Sequence, residues 1–211
     1  MVDYRSWDET LKLTLDKVVE EAVDSLKNGG VLYDVGGNVG SFTDLVIQRL
    51  PDLEVYIFEP VKEYYDHLVE RFIDRPNVRA FNYALVEAKR ELTISKSNHN
   101  LGWNTISEIE SYGDQETIAG ITLSELVETN KLPYPNVIKV DVEQSEYLFV
   151  EGCRELFKKH TPDKIVMEIG IKPDHPLWDK EKDMIEYLFS VGYKRYDYEE
   201  LTETYDAVFI K

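Results

Sequence analysis

One stretch constrains the fold of this chain more than any other: Val31-Leu32-Tyr33-Asp34-Val35-Gly36-Gly37-Asn38-Val39-Gly40-Ser41-Phe42. Val31 to Val35 reads as an apolar strand carrying an acid at its end, the residues after it as a glycine-rich turn, and Phe42 as the start of a helix. Such a unit sets a small ligand against bare backbone at the carboxyl edge of a parallel sheet. The spacing is Asp-x-Gly-x-Asn-x-Gly, not Gly-x-Gly-x-x-Gly. A dinucleotide site turns helix-end N–H groups toward a pyrophosphate, and a carboxylate there would repel it. Asp34 instead suits a ligand that brings positive charge and no phosphate.

The alternation continues along the chain. Apolar residues from Leu11 to Leu26 recur with helical spacing, with Asp8 as an N-cap and Asn28-Gly29-Gly30 as the stop. After the first strand, a helix is expected over 42–49, a strand over 54–59, a helix over 62–72 and a strand over 78–82. A further strand is expected over 91–95, and residues 97–113, polar and carrying His99 and Trp103, read as a long loop with room for a short strand. Helices follow at 123–130, 147–159 and 180–191, strands at 137–142 and 164–169, and a closing hairpin at 193–198 and 205–210. This β-α-β order predicts an α/β, doubly wound, mostly parallel sheet with a C-terminal antiparallel hairpin. The expected organisation is one domain over 1–211: an N-terminal helix to residue 29, a core over 31–170 and a helix and hairpin over 171–211.

Charge and cysteine narrow the function. Lys and Arg number 24 against 41 Asp and Glu, a net charge of −17 spread over the chain. A nucleic-acid backbone would be repelled, so no nucleic-acid partner is expected. Cys153 is the one cysteine, which excludes an internal disulfide and a cysteine-rich metal site. The acidic N-terminus is unlike a signal peptide, and no apolar run approaches the ~20 residues that span a bilayer. A cytoplasmic setting is the expectation.

The acids and glycines then combine. Gly36 and Gly40 give a ligand access to backbone, Asn38 caps the next helix or contacts the ligand, and Asp34 holds an ammonium directly or through water. Glu59 closes the second strand where a carboxylate takes both hydroxyls of a ribose. Asn82, with Tyr83, Ala84 and Leu85, closes the third strand where an adenine edge would be read. A ligand with ammonium, sulfonium, ribose and adenine, and no phosphate, is S-adenosylmethionine. The strand at 137–142 delivers Asp141, Glu143 and Glu146 to the same edge, and the next delivers Glu168. One of these with a raised pKa could serve as a general base, while Glu146 also suits a helix start.

Residues 31–43, Phe58-Glu59-Pro60, Asn82-Tyr83-Ala84-Leu85, Ile138-Lys139-Val140-Asp141-Val142-Glu143-Gln144-Ser145-Glu146 and Ile165-Val166-Met167-Glu168-Ile169 come in the order seen in FkbM-type methyltransferases. The chain resembles that family over about residues 31–170. It departs at Gln144, where the family usually has Gly, and at Gly37, commonly Ala. The resemblance implies a Rossmann-like class I methyltransferase fold, a seven-stranded sheet with a reversed last strand. It implies a donor site at Asp34, Gly36, Asn38, Gly40, Ser41, Glu59, Asn82, Ala84 and Asp141. It also implies O-methylation of a small-molecule, sugar or glycan hydroxyl and association with a glycosyltransferase; a homodimer is a separate expectation.

Methyl transfer is an in-line displacement in which positioning supplies much of the acceleration. A sugar hydroxyl needs a base or a metal. Asp141, Glu143, Glu168 and His99 are the catalytic candidates, and Asp141, Glu143 and Glu168 could instead hold Mg²⁺ or Mn²⁺. His175 is a similar loop histidine, and Trp103 and Trp178 either pack or stack on a sugar. Two other readings compete: a NAD-dependent oxidoreductase, disfavoured by the loop spacing and Asp34, and a non-catalytic S-adenosylmethionine-binding or interaction module.

Overall fold

The computed structural model describes residues 9–26, 29–96, 104–106, 113–170, 174–197 and 205–211. In chain order the elements are α1 (Glu9–Asp24), β1 (Val31–Val35), α2 (Ser41–Arg49), β2 (Glu54–Phe58), α3 (Lys62–Arg71), β3 (Val78–Phe81), β4 (Ala84–Leu85), β5 (Arg90–Lys96), β6 (Asn104–Ile106), β7 (Asp114–Ile121), α4 (Leu123–Asn130), β8 (Val137–Val140), α5 (Glu146–Lys159), β9 (Lys164–Ile169), α6 (Trp178–Ser190), β10 (Lys194–Asp197) and β11 (Tyr205–Ile210). Asp8, expected as the cap of α1, lies outside the described residues.

The main sheet has seven strands in the order β10-β11-β9-β8-β1-β2-β3. β1, β2, β3, β8 and β9 run parallel, and β11 enters reversed between β9 and β10. The central strands are apolar along their length because both faces are covered: every residue of β1 and β8 is buried. Against one face pack Val19 and Ala22 of α1, Phe42, Val46 and Ile47 of α2 and Leu68 of α3. Against the other pack Leu123 and Leu126 of α4, Phe149, Val150 and Leu156 of α5 and Met184 and Leu188 of α6.

β1 lies between β2 and β8, so the chain leaves it in one direction for β2 and returns on its other side at β8. This is the topological switch point, where the carboxyl ends of neighbouring strands open a crevice. Asp34, the glycine turn, Glu59 and Asp141 all stand at that edge.

A second sheet, β4-β7-β5-β6, is not foreseen from the sequence. β5 matches the strand expected at 91–95, and β6 falls within the expected long loop, but β7 has no obvious period-two signal. Its inward residues are Ile118 and Gly120, buried with Leu92, Ile94 and Val86. At Gly120 an added Cβ would lie 2.7 Å from Val86 and 2.8 Å from Leu92, so a close approach takes the place of an apolar side chain. Among the described residues no helix is long and apolar enough to cross a membrane.

Candidate active site

β1 and β8 pair with Asp34 opposite Lys139, so the two side chains emerge together on one face of adjacent strands. The Lys139 ammonium lies 3.5 Å from Asp34 Oδ1 and 3.2 Å from Asp141 Oδ2. It also donates to the Gly36 carbonyl at 3.2 Å and stands 5.6 Å from the centre of the Phe42 ring. Thr43 Oγ1 donates to Asp34 Oδ2 at 2.7 Å. Burial pushes the Asp34 carboxyl above its ordinary value, and Lys139 and Thr43 oppose the shift. Asp34 Oδ1 faces only the Lys139 ammonium, and the buried Ser41 Oγ at the start of α2 has no hydrogen-bond partner. A buried hydroxyl without a hydrogen bond, beside a carboxylate at a glycine turn, is what a polar ligand would satisfy.

The turn is held from below. Gly36 has φ +79, and its N–H donates to the Phe58 carbonyl at 3.0 Å. A Cβ at Gly36 would lie 1.8 Å from the Asp141 carbonyl oxygen, so its absence lets the end of β8 close against the turn. At Gly37, where the resembled family commonly has Ala, a Cβ would meet Ile57 at 2.1 Å, which accounts for glycine in this chain. Asn38 also has positive φ, and its N–H donates to Glu59 Oε2 at 2.8 Å. Glu59 Oε1 accepts from the Val61 N–H at 2.9 Å. Glu59 is buried and pushed up to about 7 by desolvation, against both backbone donors and Lys139. Asn82 Nδ2 donates to the carbonyls of Glu59 and Pro60, clamping the ends of β2 and β3. Gly40 is the N-cap of α2, and Ala84 of β4 packs with Val39, Val61 and Tyr64.

Beside this cradle the structure gathers Asp141, Glu143 and Glu168, with carboxylate oxygens all within 4.8 Å of one another. The turn after β8 is unusual in carrying two successive non-glycine residues with positive φ, Glu143 at +52 and Gln144 at +70. The Gln144 position is thus one that glycine would occupy without strain, which is the residue the resembled family usually has there. Glu146 Oε1 accepts from the Val142 N–H at 3.1 Å and closes the turn. Desolvation, then Asp141, Glu168 and Glu146, push Glu143 up to about 9, and Lys139 moderates the rise. Glu146 is buried and pushed up to about 8, mainly by desolvation. Three converging carboxyl groups form the oxygen set a hard cation prefers, and their crowding is what a cation or a shared proton would relieve.

His99 and Trp103 lie outside the described residues. His175 Nδ1 accepts from the Leu177 N–H at 3.2 Å in the turn before α6, and Trp178 opens that helix half-buried. Sequence reasoning missed Lys139, Thr43 and Arg71. Arg71 donates to the Val39 carbonyl at 2.9 Å and pairs with Asp44 at 2.8 Å, tying α3 to the turn. Of these only Lys139 leaves a signal, as the one charged residue inside the buried run Val137–Val140.

The strand order, the reversed β11 and the acid–glycine edge define the class I S-adenosylmethionine-dependent methyltransferase fold. Solved structures agree: the CurJ carbon methyltransferase matches with a TM-score of 0.59 at 12% identity, over 98% of this chain and 56% of that one. Aeropyrum pernix fibrillarin, crystallised with natively bound S-adenosyl-L-methionine, matches with a TM-score of 0.54 at 13% identity, over 92% of this chain and 73% of that one. The chain belongs to the FkbM methyltransferase family, whose domain matches residues 34–195. Among characterised relatives, the hexuronic acid methyltransferase AglP of Haloferax volcanii is 27% identical over 172 residues, 81% of this chain. The chain spans 66% of the length of AglP. Membership of this family selects methyl transfer over hydride transfer.

Proposed function

We propose that this protein is an S-adenosylmethionine-dependent O-methyltransferase of the cytoplasm whose acceptor is a hydroxyl of a sugar, glycan or natural product, with hexuronic-acid sugars the first to test. The observation that carries the reading is the convergence of Asp141, Glu143 and Glu168 within 4.8 Å beside the Asp34–Gly40 turn. A neutral hydroxyl must lose its proton as the new C–O bond forms, and a carboxylate group of this kind is placed to receive it. In this reading Asp34, Ser41 and the turn backbone hold the amino-acid half of the methyl donor. Glu59 takes the ribose hydroxyls through the lone pairs its two backbone donors leave, and Asn82 keeps the adenine edge in place. S-adenosylmethionine supplies the activated methyl group, and this chain orients it, excludes water and removes the proton.

The same three carboxylates would hold a Mg²⁺ or Mn²⁺ ion, which polarises an acceptor oxygen. AglP carries a sugar acid in its name, and a sugar carboxylate beside this cluster would itself call for such a cation. A glycosyltransferase supplying the acceptor, and a homodimer, belong to the same proposal.

The test is methyl release from labelled donor onto a panel of hexuronic-acid, deoxy-sugar and neutral glycan acceptors, with and without chelator. Methyl ether formation on a sugar hydroxyl supports the reading. Methylation of carboxylates alone would replace the hydroxyl acceptor. Donor binding with no transfer to any acceptor would favour the non-catalytic module, and NAD serves as the binding control.

A further inference from the structure

Lys139 is a cation buried among acids. It is 7% exposed, stands opposite Asp34 in the β1–β8 register, and touches Asp34, Asp141 and the Gly36 carbonyl at once. Those three groups come from the end of β1, the glycine turn and the residue just past β8, so a single ammonium ties together the pieces whose convergence makes the crevice. A lysine in an otherwise apolar strand is costly to bury, and here Asp34, Asp141 and the Gly36 carbonyl of the candidate site all face it.

We propose that Lys139 is a positioning residue whose ammonium sets how strongly the site prefers the charged methyl donor over its neutral product. The inference rests on the donor half of the proposed function and not on the acceptor. S-adenosylmethionine and S-adenosylhomocysteine share their ammonium, carboxylate, ribose and adenine. They differ by the methyl group and by the positive charge on sulfur, which is lost when the methyl leaves. The ionised acids of the rim attract the sulfonium. A fixed ammonium inside that rim weakens the attraction, and it does so for the donor alone, because the thioether carries no charge to feel it. Removing the ammonium while keeping the side-chain volume takes one positive charge out of the rim. The expected result is a wider gap between donor and product affinity, on the order of tenfold for one unit charge acting through a partly hydrated site. A purely structural loss would weaken both ligands alike.

The test is calorimetric titration of Lys139→Met, Lys139→Gln and Lys139→Arg with the donor and with the thioether product, beside the wild type and with melting temperatures recorded. The Kd ratio of product to donor should rise on the order of tenfold in Lys139→Met and Lys139→Gln and return toward the wild-type ratio in Lys139→Arg. Lys139→Gln keeps a polar group near Gly36 and carries the same test if the methionine variant fails to fold. A ratio within about twofold of wild type in the folded neutral variant, or an equal loss of both ligands, overturns the inference. Wild-type protein that binds neither ligand would sink the donor reading and this inference with it. Failure to methylate sugars would sink only the acceptor half.

Discussion

Gly36 offers a way to measure how tightly the β8 edge is pressed against the turn. In Gly36→Ala the new Cβ would stand 1.8 Å from the Asp141 carbonyl oxygen, where ordinary contact begins near 3.4 Å. Relief of that overlap must move the end of β8 away from β1, and the Asp141 N–H that donates to the Val35 carbonyl at 3.0 Å moves with it. The costs are about 1–2 kcal/mol for an L-residue at positive φ, about 1–3 kcal/mol for overpacking and about 1 kcal/mol for the strained hydrogen bond. Gly29 provides the control: its φ is +84, yet nothing lies within 4 Å of its notional Cβ. Gly29→Ala carries the backbone strain and the same gain from a stiffer unfolded chain, and lacks the collision. The difference between the variants is therefore the steric part, about 2–4 kcal/mol, or about 4–16 °C in Tm for a chain of this size. Calorimetric melting and urea unfolding of both proteins read it directly. Equal destabilisation within about 0.5 kcal/mol would show that the Asp141 carbonyl is not pressed on the turn, and the account of the crevice would fail.

Gln144 holds φ +70, so Gln144→Gly should stabilise the fold by about 0.5–1 kcal/mol, seen as a small rise in Tm, and a fall would contradict the strain assigned to that turn. Glu59 holds its proton up to about pH 7 when folded, against an ordinary value of 4.5. Across that window the folded state binds the proton that the unfolded chain has released, so its contribution to stability falls as pH rises. The unfolding free energy of wild type relative to Glu59→Gln should drop by on the order of 1–3 kcal/mol between pH 5 and pH 7.5, as urea titrations at several pH values would record, and a rise would reverse the sign assigned to burial. Asp141→Asn should melt close to wild type, because its side chain is 43% exposed. Its methyl release should fall at least about a hundredfold, and near-normal turnover would remove Asp141 from the chemistry.

Much of this architecture can be read from residue order. The apolar runs 31–35, 54–58, 137–140 and 164–169 alternate with helical periods, and strands buried on both faces that follow one another in this way belong to a parallel sheet covered by helices. The acids at 34, 59, 141 and 168 sit at strand ends, and parallel strands bring such ends to one edge. That is why the candidate carboxylates were legible before any coordinates. β7 was not, because Gly120 replaces the apolar residue a period-two pattern needs, and the reason for that glycine is contact with Val86 and Leu92, both distant in sequence or on another strand. Lys139 was visible as a letter but silent as a function. Its role depends on the register that places it opposite Asp34 and on the turn that brings Gly36 and Asp141 within its reach. Local sequence thus determines the elements of the main sheet and which edge is acidic, since both follow from short-range periodicity. The balance of charge at that edge was decided only by the tertiary fold, because electrostatic energy depends on distances between groups about a hundred residues apart in the chain.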